Sequence, residues 1–195
     1  MKPAFDKAQN TATKLLLQQD ITSLHIDVRS LTLPDHIHID SMQNFCALTG
    51  LPISELLREG SVIEGACVFR QYGHQIILYD DNIANEHRKH WGIAHELGHV
   101  LLDHRNDDRT AEIEAHFFAA QLIAPEIVLW ELCRRKGRLS DSDLSTHFNL
   151  SFEAAVKRIT TLSRRNTFNC TDIDKQLLRK FAPAIDRAMP RFLAS

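Results

Sequence analysis

The sequence predicts an α+β fold, in which a small mixed β-sheet is combined with a larger number of helices. Most of the chain has apolar side chains at helical spacing, whereas β-type runs are confined to residues 37–39 and 66–79. Of the 195 residues, 44% are apolar and 25% are charged, which is enough apolar material for a real core. We therefore expect one folded domain, or one domain that carries a small appendage.

The first elements are predicted from helix formers, caps and breakers. Residues 4–19 contain neither Gly nor Pro and predict a helix, and residues 37–39 alternate as a strand does. Ser41 is predicted to cap a helix that Gly50 ends. A further short helix is predicted over residues 52–60, between Pro52 and Gly60.

A β-hairpin is predicted over residues 66–79, with its turn around Tyr72-Gly73-His74. A helix is then expected from about Asn85 to Leu102. The next long helix follows the cap region Asp107-Asp108. This helix is predicted over residues 109–123. Four further helices are predicted over residues 125–137, 140–147, 151–163 and 172–188.

The charge balance changes sign near Lys136-Gly137-Arg138. Residues 1–132 contain 10 basic and 19 acidic residues, a net charge of −9, whereas residues 133–195 contain 13 and 6, a net charge of +7. We predict a boundary here, between a domain of residues 1–136 and a basic helical part of residues 137–195. Its basic surface could meet an acidic partner, the acidic part of the same chain, nucleic acid, or only solvent.

The cysteines and the lack of a long apolar stretch indicate a cytoplasmic protein. Cys46, Cys67, Cys133 and Cys170 are scattered and form no CxxC pair, so we expect reduced thiols. No apolar run approaches the roughly 20 residues that a membrane-spanning helix needs, and none follows the N-terminus as in a signal peptide. We expect no membrane partner, and the sequence leaves the oligomeric state open.

The motif HELGH at residues 95–99 indicates metal chemistry. His95 and His99 lie one helical turn apart on the same face and can direct two imidazoles to one ion. Catalytic zinc keeps one position open for water and lowers the pKa of that water to about 7. Glu96 is the natural base for that water, and Gly98 would let a neighbouring element approach closely. We predict zinc-dependent peptide hydrolysis, with Mn²⁺ as another possible ion.

A catalytic zinc needs a third protein ligand. A metzincin would have a histidine where this chain has Arg105, and His104 is interpreted as a surface residue or one that supports a metal ligand. Glu112 and Glu114 are the candidates, and on a helix only one of them can point to the site. Glu112 is favoured because His116 shares its face one turn later, so Glu114 is expected to be a solvent-facing or helix-end charge.

Two segments resemble the ImmA/IrrE family of zinc metallopeptidases: HRKHWGIAHELGH at residues 87–99 and EIEAHFFAAQLIAP at residues 112–125. The family pattern is R-x-R-F-T-x-A-H-E-L-G-H, followed by E-x-E/Q-A-N/D-x-F-A-A-x-L-L-M-P. The resemblance covers about residues 10–165. This chain departs from the pattern at His116, where the family has Asn or Asp, and at Ala124, where it has Met.

The resemblance implies a zincin-like domain with zinc ligands at His95, His99 and Glu112, and with Glu96 as the catalytic base. Members of the family cut helix-turn-helix repressors of mobile elements or stress genes, or promote their loss. The implied function is therefore a zinc endopeptidase whose protein substrate is such a repressor. Since an extended peptide can pair with a strand at the cleft of a zincin, residues 75–79 are our candidate for that edge strand. The alternative interpretation of these residues is an ordinary buried strand.

The alternative function is a DNA-binding or repressor-binding regulator that keeps the metal site without cleaving. Residues 43–60 and 143–158 both have a residue pattern typical of a helix-turn-helix. In the first segment Arg58 is flanked by Glu55 and Glu59, whose negative charges would repel the phosphates of DNA. The second carries Lys157 and Arg158, with Arg164 and Arg165 beyond it, but is also typical of a packed helical pair. Nucleic acid is thus the less favoured partner.

Overall fold

The structure, a computed structural model, describes residues 2–59, 65–106, 108–164 and 170–189, with side chains omitted for residues 57–59. Within these ranges it contains nine α-helices, a short 3₁₀-helix and one three-stranded mixed sheet. The predicted α+β fold class is confirmed. Three predicted features lie outside the described residues, namely the helix end at Gly60, the capping role of Asp107 and the basic side chain of Arg165.

The chain forms two compact units. The first comprises Met1–Ala8 and Asp27–Ala119, and the second comprises Gln9–Ile26 and Ala120–Ser195. The predicted boundary after residue 136 therefore lies inside the second unit. The helix before that boundary packs on the last helix of the chain and is tied to it by an ion pair of 2.7 Å between Arg135 and Asp186. The charge reversal thus coincides with none of the three points at which the chain passes from one unit to the other.

The N-terminal elements follow their predicted caps. Helix α1 (Phe5–Gln18) begins in the first unit and continues into the second. Strand β1 (Ile37–Ser41) leads directly into helix α2 (Met42–Thr49). There the Ser41 hydroxyl accepts the Asn44 N–H, and Gly50 ends the helix with a φ of 74°. Helix α3 (Ile53–Glu59) is the predicted short helix.

The hairpin consists of β2 (Ala66–Gln71) and β3 (His74–Tyr79), which pair in antiparallel register. Tyr72 and Gly73 form its turn, and both have positive φ angles, 50° and 82°, as a two-residue hairpin turn of type I′ requires. The hairpin prediction is confirmed.

The strand order is β1-β3-β2, so β3 lies in the centre of the sheet. Of the two interpretations of residues 75–79, the edge strand was wrong and the buried strand agrees with the structure, because β1 pairs in parallel with the side of β3 that the hairpin leaves open. Among the described strands, β1 and β2 are the edges. Leu78 packs into a core cluster with residues of α2, and Ile77, which points to the opposite face, is also fully buried.

Two long helices complete the first unit. Helix α4 (Glu86–Leu101) packs against β2 and β3, and its N-cap Asn85 accepts the Arg88 N–H. Helix α5 (Arg109–Ile123) begins after Asp108, whose carboxylate accepts the N–H groups of Thr110 and Ala111 at 2.8 and 2.9 Å. The predicted bounds of both helices are correct to within one residue.

The second unit is helical in its described part. Its helices are α6 (Glu126–Lys136), α7 (Asp141–Phe148), α8 (Phe152–Ser163) and α9 (Asp172–Ala188). Helices α7 and α8 pack on each other, as expected for the second helix-turn-helix-like segment. Arg158 of α8 is buried and donates to the Ala124 carbonyl at 2.7 and 3.2 Å, while Lys157 pairs with Glu153. The burial of Arg158 counts against α8 as a nucleic-acid surface.

Two further expectations concern thiols and membranes. All four cysteines are free thiols. No single described helix has both the length and the apolar content to cross a membrane, although α5 and α6 together, as a bent pair, satisfy that test by length and composition alone.

Glu131 gives the second unit a pH-dependent share of its stability. Hydrogen bonds from Arg134, and then from Arg135, outweigh burial and lower the pKa of the Glu131 carboxyl from 4.5 to about 2. Because the folded pKa lies below the unfolded value, the stabilisation is complete above pH 4.5 and is lost as pH falls towards 2. The difference in melting temperature between the wild type and Glu131→Gln should therefore shrink between pH 6 and pH 2.5.

Glu153→Gln is the matched control, since Glu153 pairs with Lys157 on the same unit but is 79% exposed. An exposed pair contributes little, so this variant should melt close to the wild type at every pH. A difference for Glu131→Gln that stays constant with pH would contradict the proposed ionisation.

Candidate metal centre

Helix α4 carries three polar side chains into a buried region beside the sheet. His95, Glu96 and His99 have relative exposures of 0%, 7% and 4%. The helical repeat places the two imidazoles one turn apart on the same face, and their Nε2 atoms are 3.1 Å apart. The first two candidate residues predicted from the motif therefore meet as expected.

Helix α5 reaches this face because residue 98 of α4 is glycine. A β-carbon at Gly98 would lie 3.0 Å from Cδ1 of Phe118, 3.1 Å from Cα of Ala115 and 3.2 Å from its carbonyl oxygen. Any side chain at this position would push the two helices apart. The predicted role of Gly98, to allow the close approach of a neighbouring element, is thus observed.

The close approach brings Glu112, in the first turn of α5, to the two histidines. Its carboxylate oxygens lie 3.3 Å from Nε2 of His95 and 3.4 Å from Nε2 of His99. These three side chains form a group whose donor atoms could hold a metal ion. Of the two glutamates considered from the sequence, the structure places Glu112 at the cluster.

Burial keeps His95 uncharged. Desolvation, with a smaller contribution from the nearby His116, His99 and His104, lowers the pKa of His95 from 6.5 to about 3. At neutral pH the contact between His95 and Glu112 is therefore not an ion pair. A neutral imidazole is the form that binds metal, because one ring nitrogen keeps its lone pair.

The spacing of the donor atoms also fits a small divalent ion. With Zn–N bonds of about 2.0–2.1 Å, two ligand atoms on a tetrahedral zinc lie about 3.3–3.4 Å apart. The two Nε2 atoms are 3.1 Å apart, and each faces a different oxygen of Glu112, Oε2 at 3.3 Å from His95 and Oε1 at 3.4 Å from His99. Two imidazoles and one carboxylate are a known ligand set of catalytic zinc, so both the chemistry and the geometry of the group fit that metal.

Glu114 lies on another face of α5 and is not a solvent-facing charge. Its residue is 9% exposed, and its carboxylate accepts the Ala4 N–H at 2.7 Å and approaches Nε2 of His104 at 3.0 Å. Our expectation for Glu114 was therefore wrong. The spacing in the sequence predicted that Glu114 points away from Glu112 on the helix. It could not predict that the N-terminal segment and the ring of His104 cover Glu114.

His104 joins Glu114 to the cluster. Its Nδ1 lies 3.2 Å from Nδ1 of His99, on the side of that ring opposite the donor Nε2, and its side chain is 9% exposed. The interpretation of His104 as a surface residue was therefore wrong. Its support of a metal ligand stays a prediction, to which the contact with His99 adds.

His116 lies at the exposed side of the cluster. Its ring centroid is 4.4 Å from that of His95 and 6.0 Å from that of Trp91, with which it is stacked. The nitrogen atoms of His116 are not part of the group that could hold a metal. The sequence placed His116 on the face of Glu112, but the stacking on Trp91 was missed.

Glu96 is a carboxylate within electrostatic reach of the edge strand β2. Burial, and then the negative charge of Glu96, raise the pKa of the Cys67 thiol in β2 to about 11. The acid of the motif therefore lies between the two histidines in sequence and close to a sheet edge in space.

Comparison with known proteins agrees with this arrangement. The profile of the IrrE N-terminal-like domain, which defines the M78 peptidases, matches residues 53–160, more than half of the chain. The chain belongs to this peptidase family. The matched range includes every residue of the candidate site, and the resemblance inferred from the two segments is confirmed. No curated protein and no solved structure gives a significant match.

Replacement of Gly98 tests the helix contact on which the candidate metal site depends. Gly98→Val should lower the free energy of unfolding by about 1–3 kcal/mol, the usual effect of overpacking, although valine is the better helix former. Urea unfolding of the metal-free protein measures this effect without a contribution from metal loss. Arg88→Val, at an exposed position of α4, is the control and should have a smaller effect.

A Gly98→Val variant as stable as the wild type would show that α4 and α5 do not pack as closely as described.

Proposed function

We propose that this metallopeptidase family member is a zinc-dependent endopeptidase, with His95, His99 and Glu112 as metal ligands and Glu96 as catalytic base. The observation that carries the proposal is the meeting of three potential ligand atoms, one each from His95, His99 and Glu112 on two different helices, within 4.8 Å of one another. Zinc fits the donor set best, and Mn²⁺ remains the other ion to test.

The bound metal would act as a Lewis acid that polarises the peptide carbonyl and lowers the pKa of the attacking water. The residues of the chain perform the proton transfers. Glu96 accepts the proton of the attacking water and then donates it to the nitrogen of the leaving amine. Its position next to His95 in sequence, on the same buried helix, supports this role.

An extended substrate would bind along β2. This strand pairs only with β3 among the described strands, so its other edge has backbone groups available for strand addition. Strand β2 packs against α4, and Cys67 within it is in electrostatic reach of Glu96. We therefore assign to β2 the role that the sequence suggested for residues 75–79.

The substrate we propose is a helix-turn-helix repressor in the cytoplasm, whose cleavage would derepress mobile-element or stress genes. The resemblance to the ImmA/IrrE family supports this substrate. The alternative, a DNA- or repressor-binding regulator that keeps the metal without cleaving, has less support because Arg158 is buried against Ala124.

Metal binding is the first test. Loss of a residue that only supports a ligand typically weakens metal binding about 10–100-fold. His99→Ala and Glu112→Ala remove a ligand itself, so each should weaken Zn²⁺ binding by more than this. Equilibrium competition with a chromophoric chelator measures the affinity, and elemental analysis measures the stoichiometry. Mn²⁺ is titrated in parallel.

His116→Ala is the matched control, because this imidazole touches His95 but lies outside the donor group. It should keep a Zn²⁺ affinity close to that of the wild type. A wild-type Zn²⁺ affinity in Glu112→Ala would exclude Glu112 as a ligand.

Cleavage is the second test. The metal-loaded protein is mixed with the helix-turn-helix repressor encoded nearest its gene, and intact masses are followed over time. Glu96→Gln should bind metal as the wild type does but cleave at least about 100-fold more slowly, because it cannot accept the proton of water. Fragments from the wild type that are absent with the variant establish the peptidase and locate the bond.

One equivalent of bound metal with no fragments would instead favour the regulator. DNA or repressor binding that persists after metal removal would support that reading, and for DNA it should weaken steeply as salt is added.

A further inference from the structure

We propose that His104 and Glu114 are positioning residues for the metal ligand His99, and that the N-terminal segment from Ala4 to Lys7 holds this pair in place. The inference rests on the proposed role of His99 in binding metal. It assigns to two polar residues of the first unit, and to the start of α1, a share in metal affinity.

The contacts form a continuous chain from the backbone of the N-terminal segment to the metal ligand. The Ala4 N–H donates to Oε1 of Glu114 at 2.7 Å, and Oε2 of Glu114 lies 3.0 Å from Nε2 of His104. Nδ1 of His104 then lies 3.2 Å from Nδ1 of His99. The side chains of His104 and Glu114 are only 9% and 11% exposed, so water competes little for these bonds.

The direction of the hydrogen bonds follows from the geometry of Glu114. Its Oε1 accepts the Ala4 N–H at 2.7 Å, and its Oε2 faces Nε2 of His104 at 3.0 Å. A carboxylate only accepts hydrogen bonds, so Nε2 of His104 carries a proton and donates it. A histidine ring with its proton on Nε2 accepts through the other nitrogen, Nδ1.

This acceptor fixes the tautomer of His99. Nδ1 of His99 must carry the proton that is donated to His104, which leaves the lone pair on Nε2. Nε2 is the atom that faces Glu112 and His95 in the donor group. The chain of hydrogen bonds thus selects the form of His99 that binds metal and holds the ring in the required orientation.

The N-terminal segment contacts both elements that carry the pair. In addition to the bond from Ala4, Lys7 Nζ donates to the Leu102 carbonyl at 2.7 Å, two residues before His104. The ring of Phe5 packs edge-on against Phe117 of α5, with ring centroids 4.9 Å apart. The segment therefore joins the loop that carries His104 to the helix that carries Glu114.

A purely structural role for the pair makes a different prediction. If His104 and Glu114 only satisfied each other in the core, their replacement would lower the stability of the protein but leave metal affinity unchanged. Metal affinity and the spectrum of the bound ion therefore separate the two roles.

The experiment measures the Zn²⁺ affinity of the full chain by competition with a chromophoric chelator. His104→Ala and Glu114→Gln should each bind Zn²⁺ about 10–100-fold more weakly than the wild type. His104→Asn, whose amide oxygen can still accept from Nδ1–H of His99, should recover part of the affinity lost in His104→Ala. The visible spectrum of the Co²⁺-loaded protein should change in the alanine variant, since it reports on the ligand geometry.

Glu126→Gln is the matched control. Glu126 is another buried glutamate, 3% exposed and hydrogen-bonded to Gln121 and Trp130, but it belongs to the second unit. This variant should keep the wild-type affinity even if it melts at a lower temperature.

Ala4→Pro tests the N-terminal segment without altering any charge. Proline lacks the N–H that Glu114 accepts, but keeps the carbonyl that accepts the Ala8 N–H at the start of α1. We expect a roughly 3–10-fold loss of Zn²⁺ affinity, smaller than that of the side-chain variants because His104 remains bonded to Glu114. An affinity equal to that of the wild type would overturn the role of the segment.

Zn²⁺ affinities of His104→Ala and Glu114→Gln within twofold of the wild type would overturn the role of the pair. A wild-type protein that binds metal but cleaves no repressor would contradict the proposed substrate and leave this result unaffected. A wild-type protein that binds no metal would overturn both proposals.

Discussion

The candidate metal centre depends on the close approach of α4 and α5 at Gly98. Two of the three donor side chains come from one helix, and the helical repeat alone brings them together. The third, Glu112, belongs to another helix and reaches them only because no side chain at residue 98 separates the two backbones. Helix α4 thus provides two of the three donor side chains, and its packing contact with α5 at Gly98 brings in the third. For this reason Gly98 matters to the chemistry although it contributes no functional atom.

Burying this group has an energetic cost that other contacts must offset. Two imidazoles and the carboxylate of Glu96 are buried, and the side chain of Glu112 is only 26% exposed, so an uncompensated polar atom is unfavourable here. Nδ1 of His95 makes no hydrogen bond to any described residue, whereas His99 is hydrogen-bonded through His104. A metal ion would compensate the facing lone pairs of the donor group. Its binding should therefore also stabilise the folded state, as in other proteins whose ligands are assembled by folding.

Much of this organisation could be predicted from the sequence, and the parts that could not share one physical cause. Helix bounds, caps and the hairpin turn depend on neighbouring residues, and those predictions agree with the structure at Ser41, Gly50 and Asn85. The preference for Glu112 also used only local spacing. The central position of β3 and the burial of Glu114 depend instead on segments distant in sequence. Glu114 is covered by Ala4, which is 110 residues away in the sequence. The spacing of apolar and polar residues along the chain does not predict such a contact.

The thiol of Cys67 has a consequence for the selectivity of the centre. A thiolate is a strong ligand for zinc and the reactive form towards oxidants and alkylating agents. With its pKa raised to about 11 by burial and by Glu96, this side chain is ionised to only about one part in ten thousand at pH 7. Burial contributes most to this protonation, and the carboxylate proposed as catalytic base adds a smaller contribution. The same protonation makes Cys67 a poor redox sensor, so control of the site by oxidation would require a different residue.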